Sequence, residues 1–328
     1  MILNTNKLMS PLVAQNEYSV SPSAVIVHDA LSTGSFYAMD SLTPKELQSK
    51  YLFNQSPNRD EFNRQYKTFV HTLREQVENV YFLTDLLPEN GNRLISSTNP
   101  NQIYTRDSII TIPWLPFSYI PGNMKKSIRK PEIEAMVAAC EQQGLSELCC
   151  VPENLVLEGG DVIPFIRKGR RTFLIGYGPR TQMETIKMLT KLLVPEYVDE
   201  IIAIKLVSWR INLDGAMMPV TDDVVVAQPD SILGGYIIDN KGAIEIDPLS
   251  MLKDMGFRII TVTIAESRLA QACNCLCLGD RRIITYDLSD RVDKLFRSYD
   301  IETIRIPGSE LVKGTGGPRC MTRPLYTV

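Results

Sequence analysis

Histidine is nearly absent. The 328 residues hold two, His28 and His71. That scarcity argues against a histidine-rich metal centre and leaves few ordinary candidates for proton transfer. No apolar run approaches the roughly 18 residues of a membrane-spanning helix, so no membrane partner is expected. The opening MILNTNKLMSPLVAQNEYS lacks the charged-then-apolar pattern of a secretory signal, and a cytoplasmic protein is expected. A surplus of one charge is missing too: 35 basic against 38 acidic residues give −3. Without a basic excess or stripe, nucleic acid is not an expected partner. Low-complexity tracts, strict repeats and long linkers are also lacking, which favours one domain over residues 1–328.

What is there is an ordinary globular composition, with 44% hydrophobic and 22% charged residues, so wholesale disorder is excluded. The cysteines number seven, an odd count that does not suit a framework of paired disulfides. Cys140, Cys149 and Cys150 lie in one half of the chain, and Cys320 near the end. Cys273, Cys275 and Cys277 alternate, so on a strand all three face one way. A soft-metal site would use such a face, but zinc ligands are usually spaced Cys-x2–4-Cys with a second pair or histidines. The spacing therefore favours three small buried side chains.

Strand-like and helix-like segments alternate. Ala24–His28 reads as a buried strand. Thr43-Pro44-Lys45-Glu46 is a capping box with proline at the first helical position. Phe62, Tyr66, Phe69, Val70, Leu73 and Val77 then recur at helical spacing, and His71 lies off that stripe. Residues 172–176, 201–206, 223–227, 258–264, 282–286 and 301–306 read as strands, and 289–299 as a helix. A second capping box, Thr181 to Glu184, opens another helix. The interleaving predicts an α/β fold. The proline-bearing stretch 113–131 is the best candidate for a functional loop.

Four blocks could carry chemistry. Gly314-Thr315-Gly316-Gly317-Pro318-Arg319-Cys320 places a cysteine after glycines that admit a close ligand, beside an arginine that favours thiolate. Local chemistry alone leaves this open against a glycine-rich turn with an incidental cysteine. Walker A order is absent, since Lys313 precedes the glycine. Glu158-Gly159-Gly160-Asp161, Asn212-Leu213-Asp214 and Thr105-Arg106-Asp107 each put acids beside a turn, and singly each is weak.

Together the blocks resemble the guanidino-group-modifying enzymes of the pentein superfamily, and most nearly arginine deiminase. Residues 101–108 (NQIYTRDS), 158–162 (EGGDV), 212–214 (NLD) and 308–325 (GSELVKGTGGPRCMTRPL) match in order and wording. The resemblance runs from about residue 100 to the end. It implies a five-bladed α/β propeller of βαβ-type units, with a reduced helical insertion around residues 43–80. It also implies Cys320 as nucleophile and Asp107 and Asp214 as the pair that holds a planar guanidinium. Glu158 would orient the acid/base residue. Arg180, Asp161 and Arg319 would complete the substrate-binding set, with Lys126 or Arg129 as a further cation.

The implied reaction is thiol-dependent hydrolysis of an arginine-like guanidine. It passes through a Cys-linked thiouronium and releases ammonia and a ureido product, with no cofactor or metal. The partner is a small guanidino molecule, and homo-oligomerisation stays open.

Two positions depart from the pattern. Where the family has an acid/base histidine this chain has Asn212, and an amide does not exchange protons near neutral pH. Where deiminases have a carboxylate-binding arginine five residues before the cysteine, it has Thr315. Slow water attack would favour an amidinotransferase, and loss of proton transfer would favour a non-catalytic guanidine-binding protein. Of the two histidines, His28 is the better substitute because it ends a strand.

Overall fold

The computed structural model describes residues 16–326, so most of the opening segment read for a signal pattern lies outside the described residues. The strands fall into five separate sheets, the blades of the fold. Each blade follows one local plan: an antiparallel strand pair, a crossover containing a helix, and a strand returning parallel to its neighbour. A parallel neighbour cannot be reached by a tight turn, so each blade needs its crossover.

Strands Ile109–Ile112 and Leu115–Pro121 precede helix Pro131–Gln142 and strand Ser146–Glu147. Val162–Arg167 and Arg170–Tyr177 precede helix Met183–Leu193 and strand Glu200–Leu206. Met217–Pro219 and Val224–Ala227 precede helix Pro248–Asp254 and strand Arg258–Thr261. Leu276–Cys277 and Arg282–Tyr286 precede helix Asp290–Ser298 and strand Glu302–Ile306. Within the third of these, a hairpin of Ile232–Asp239 and Gly242–Ile246 leaves its own unit and extends the preceding blade to five strands.

The remaining blade joins the two ends of the chain. Ala24–Val27 pairs antiparallel with Arg323–Leu325 and parallel with Asn79–Phe82. Helices Pro44–Tyr51 and Arg59–Gln76 lie between its parallel strands, so the helical segment expected around residues 43–80 is the crossover of this blade. The Thr43 hydroxyl accepts from the Glu46 N–H while Glu46 accepts from the Thr43 N–H, the capping box read from the sequence. His71 is exposed on the second helix and contacts Glu75.

The second expected capping box is not made. Helix Met183–Leu193 starts after Gln182 without a side-chain cap. Thr181 is taken elsewhere: its hydroxyl donates to Asp161 at 2.7 Å and accepts from the Glu158 N–H at 3.2 Å. The stretch 113–131 is not simply a loop either, since Leu115–Pro121 is a strand inside it.

Packing decides what the cysteine-rich segment does, since only Leu276–Cys277 of it is strand. Cys273, Cys275 and Cys277 are buried in one hydrophobic cluster, while Leu276 and Leu278 enter another. Among the described residues no group of His, Cys, Asp and Glu is arranged to hold a metal ion, and no helix is long and apolar enough to cross a membrane.

Candidate active site

The segments that connect strands converge on a cavity of about 350 Å³. Asp107, Asp214, Asn212, Asn274 and Cys320 line it together with Arg129, Arg180 and Arg210. Cys320 is 8% exposed, and its Sγ lies 3.5 Å from Asp214 Oδ2. The sulfur thus shares a cavity with both carboxylates, although the residues are far apart in the chain.

Asn274 holds Cys320. Its Nδ2 donates to Cys320 Sγ at 3.0 Å, and its Oδ1 accepts the N–H groups of Gly317 at 3.1 Å and Cys320 at 3.0 Å. One amide therefore sets both the loop and the sulfur. A Cβ at position 317 would lie 2.5 Å from the Asn274 carbonyl oxygen, so the close approach requires glycine there.

Asp107 is held from two sides. Its Oδ2 accepts from Arg129 Nη1 at 2.8 Å, and its Oδ1 accepts from the Gly160 N–H at 3.1 Å. Position 160 also has no room for a side chain, because a Cβ would come within 2.7 Å of Asp107 Oδ1. Arg129 in turn donates to both oxygens of buried Glu132. Asp214 accepts from Arg319 Nη1 at 2.8 Å. Arg319 is fully buried outside the cavity lining, and binds Glu17 through two nitrogens at 2.9 and 3.0 Å. Arg106 donates to the same glutamate at 2.8 Å. Arg319 therefore stands behind Asp214, one step back from any ligand in the cavity.

Asn212 lines the cavity, but its Nδ2 is directed at Glu158 Oε2 and Asp161 Oδ2, both at 3.2 Å. Two carboxylate acceptors fix which end of the amide faces them. Glu158 also accepts from Arg180 Nη1 at 2.8 Å, and Asp161 from the Leu213 N–H at 2.9 Å. Glu158 and Asp161 lie outside the cavity lining, behind Asn212. His28 does not enter the site: it is 1% exposed, lies outside the cavity lining, and among the described residues neither ring nitrogen has a hydrogen-bond partner.

Burial pushes the Cys320 thiol well above its ordinary range, and the charges of Asp214 and Asp107 add to the shift. Burial also raises Asp214, with Asp107 adding and Arg319 opposing. Asp161 is pushed well up by burial and the nearby Glu158 charge. Behind the cavity the balance reverses. Burial alone would raise Glu17, but Arg106 and Arg319 overrule it and bring its carboxyl to about 2. Burial and the two neighbouring acids thus hold Cys320 towards its neutral thiol.

A family model described as arginine deiminase matches residues 91–327. The chain belongs to the arginine deiminase family. It is 26% identical over 197 residues to arginine deiminase 1 of Staphylococcus epidermidis, covering 52% of this chain and 47% of that protein. A second arginine deiminase of that species is 44% identical over 61 residues, covering 19% of this chain and 15% of the relative. The chain thus spans less than half the length of these curated relatives.

Solved structures share the family's pentein fold over nearly the whole chain. The N-terminal domain of ArgZ, an arginine dihydrolase from the ornithine–ammonia cycle in cyanobacteria, superposes with a TM-score of 0.67 at 17% identity, covering 93% of this chain and 98% of that domain. DDAH from Pseudomonas aeruginosa, solved with citrulline, gives 0.66 at 17% identity, covering 92% and 98%.

The sequence reading missed Asn274 as a site residue. Asn274 lies outside the strand Leu276–Cys277, so alternation does not fix its direction and only its contacts in the fold reveal it. The sequence offers Lys126 or Arg129 as a further cation, and it carries no sign that Arg129 pairs with Asp107. Arg210 was missed altogether.

Proposed function

We propose that this chain hydrolyses a guanidino compound through a thiouronium on Cys320. The observation that carries the reading is the Cys320 sulfur at 3.5 Å from Asp214, in a cavity that Asp107 also lines. A guanidinium ion is planar and permanently cationic, and two carboxylates can hold it by charge-assisted hydrogen bonds. Its arrival neutralises the charges that disfavour the thiolate, so thiolate forms when substrate is present and not before. The sulfur then attacks the guanidinium carbon. The proton released as the thiolate forms goes to solvent, solvent returns one to the leaving amino group, the C–N bond breaks, and ammonia departs from a cationic thiouronium. Water adds to that carbon, the C–S bond breaks, and a ureido product leaves with the thiol restored and one proton released to solvent or ammonia.

Asn212 makes the second half slow. Its amide orients but does not exchange protons, and general acid/base catalysis contributes about 10²–10⁴-fold. Glu158, Asp161 and Arg180 serve by holding Asn212 and each other, and Arg319 by holding Asp214. Arg180 also lines the cavity, and its remaining N–H groups can meet a substrate carboxylate. The binding-only reading and the amidinotransferase reading rest on the same asparagine.

The test is incubation with a broad panel of guanidines, followed by ammonia assay and peptide mass spectrometry of Cys320. Product, or a Cys320 adduct that accumulates, is expected, and Asn212→His raises turnover by roughly ten- to a thousandfold. No product, no adduct and no protection of Cys320 from alkylation across the panel would overturn the proposal. Protection without an adduct would mark a binding protein, and transfer to an added amine would mark an amidinotransferase.

A further inference from the structure

The hairpin of Ile232–Asp239 and Gly242–Ile246 leaves its five-stranded sheet with an open edge. The outer strand pairs with one neighbour only, and residues 242–245 are exposed. The register fixes which of its backbone groups are free. Asp239 faces Gly242 across the two-residue turn of Asn240 and Lys241, a closing pair that exchanges hydrogen bonds in both directions. Bonded and non-bonded pairs then alternate. Gly242, Ile244 and Ile246 therefore turn their N–H and C=O groups towards the neighbour, and Ala243 and Glu245 turn theirs outwards. Among the described residues, those outward groups bond to no other backbone.

Native edges are commonly blunted by lysine, proline or a bulge. This strand reads GAIEI, with neither lysine nor proline, and its register with the neighbour is unshifted. It also holds Ile244 at 68% exposure. Ile244 stands opposite Ile237, which packs with Ile246 against one hydrophobic cluster, so an apolar side chain at the rim of a core is left in water.

The edge is complementary to itself. Turned antiparallel about a two-fold axis at Ile244, a second copy sets Ala243 opposite Glu245 and Lys241 opposite Asp247. The outward groups of Ala243 and Glu245 then exchange hydrogen bonds on both sides of the axis. Ile244 meets its own copy in a close non-bonded pair, with Cα atoms about 4.5 Å apart, and each end gains a lysine–aspartate pair. Centring on Glu245 would oppose that carboxylate to itself, and centring on Ala243 would leave Ile244 against Gly242. We propose that two copies of this chain pair along Gly242–Ile246 and join their five-stranded sheets into one. Assembly closes at two, because the other edge of the sheet, Val162–Arg167, is largely buried. The pairing needs no ligand and stands apart from the guanidine reading. A contact of this length is at the small end of specific interfaces, so the dimer is reversible and depends on concentration.

Sedimentation equilibrium of the native protein from about 1 to 300 µM should show monomer and dimer exchanging. Ala243→Pro removes an outward N–H and no bond within the hairpin. It should weaken the dimer roughly ten- to a hundredfold and leave urea unfolding of the dilute monomer unchanged. Lys241→Glu sets an acid against Asp247 of the second copy and should weaken the dimer roughly tenfold. Ile244→Cys reads the register. Oxidised glutathione takes two electrons and two protons from the facing thiols, and a disulfide between the two copies of position 244 should form, since about 4.5 Å between Cα atoms is within its reach. Peptide mass spectrometry identifies the link, with the native protein under the same oxidant as the control for exposed Cys150.

A native protein that stays monomeric over the whole range overturns the proposal and leaves the edge to a strand of another protein. A dimer that both Ala243→Pro and Lys241→Glu leave unchanged lies on another surface and overturns it as well, as do species growing beyond the dimer. A dimer that both variants weaken but that never links through position 244 overturns the register at Ile244. Should Ala243→Pro not fold, Lys241→Glu and the linkage through position 244 decide.

Discussion

Asn274 offers a prediction in which stability and reactivity separate. Replacement by alanine removes the acceptor of two buried backbone N–H groups, those of Gly317 and Cys320, and the donor to the sulfur. Each donor left unpaired costs about 1–3 kcal/mol, so Asn274→Ala should lose about 2–6 kcal/mol. The lower half of that range is expected, because the cavity can admit water to the loop. For a chain of this size that corresponds to roughly 3–6 °C in Tm.

Asn274→Asp is close in shape and keeps an acceptor for both backbone N–H groups, so it should lose less stability. It also places an anion where an N–H donor had faced Sγ at 3.0 Å. With Asp214 and Asp107 already disfavouring the thiolate, a third carboxylate deepens the suppression, and Cys320 alkylation should slow by roughly tenfold or more. The assays are urea unfolding and peptide-resolved alkylation, which distinguishes Cys320 from the other cysteines. An alanine variant as stable as the native protein would refute the loop-holding role. An aspartate variant that reacts as fast as the native protein would refute the electrostatic one.

Two further predictions concern buried charge. His28 has a folded pKa lowered to about 4 by burial, against an ordinary value of 6.5, so the folded state resists its protonation. Native stability should therefore be intact above pH 6.5 and fall as pH drops towards 4, by up to about 3 kcal/mol from this group. His28→Leu should abolish that decline and gain about 1–3 kcal/mol at pH 7 by removing two unpartnered nitrogens; urea unfolding at pH 7 and pH 5 checks both, and an unchanged slope counts against it. Glu17, brought to about 2 in the fold against an ordinary 4.5, contributes stability that is present above pH 4.5 and lost as pH falls towards 2. Glu17→Gln leaves Arg106 and Arg319 without their shared counter-ion and should cost about 3–5 kcal/mol at pH 7; a Tm unchanged at pH 7 would show that the arginines do not depend on it.

What the sequence determined by itself was local or carried by short blocks. Strand and helix positions followed from apolar periodicity, because side-chain direction repeats with the backbone. The first helix start followed from Thr43 and Glu46, whose reciprocal bonds span three residues. The family followed from blocks that keep their order along the chain. The second cap failed for a physical reason: Thr181 had the right spacing, but a hydroxyl buried against Asp161 and Glu158 is not available to a helix end. Only the tertiary structure could decide what depends on closure of the fold. The sequence contains no sign that Arg323–Leu325 would pair with Ala24–Val27, or that Glu17 would neutralise arginines from two distant blocks. The partners of Asp107 and Asp214 and the two bonds that orient Asn212 were equally hidden. Each is a contact between segments remote along the chain, set by where the blades bring their connecting segments together, and a linear pattern does not record such distances.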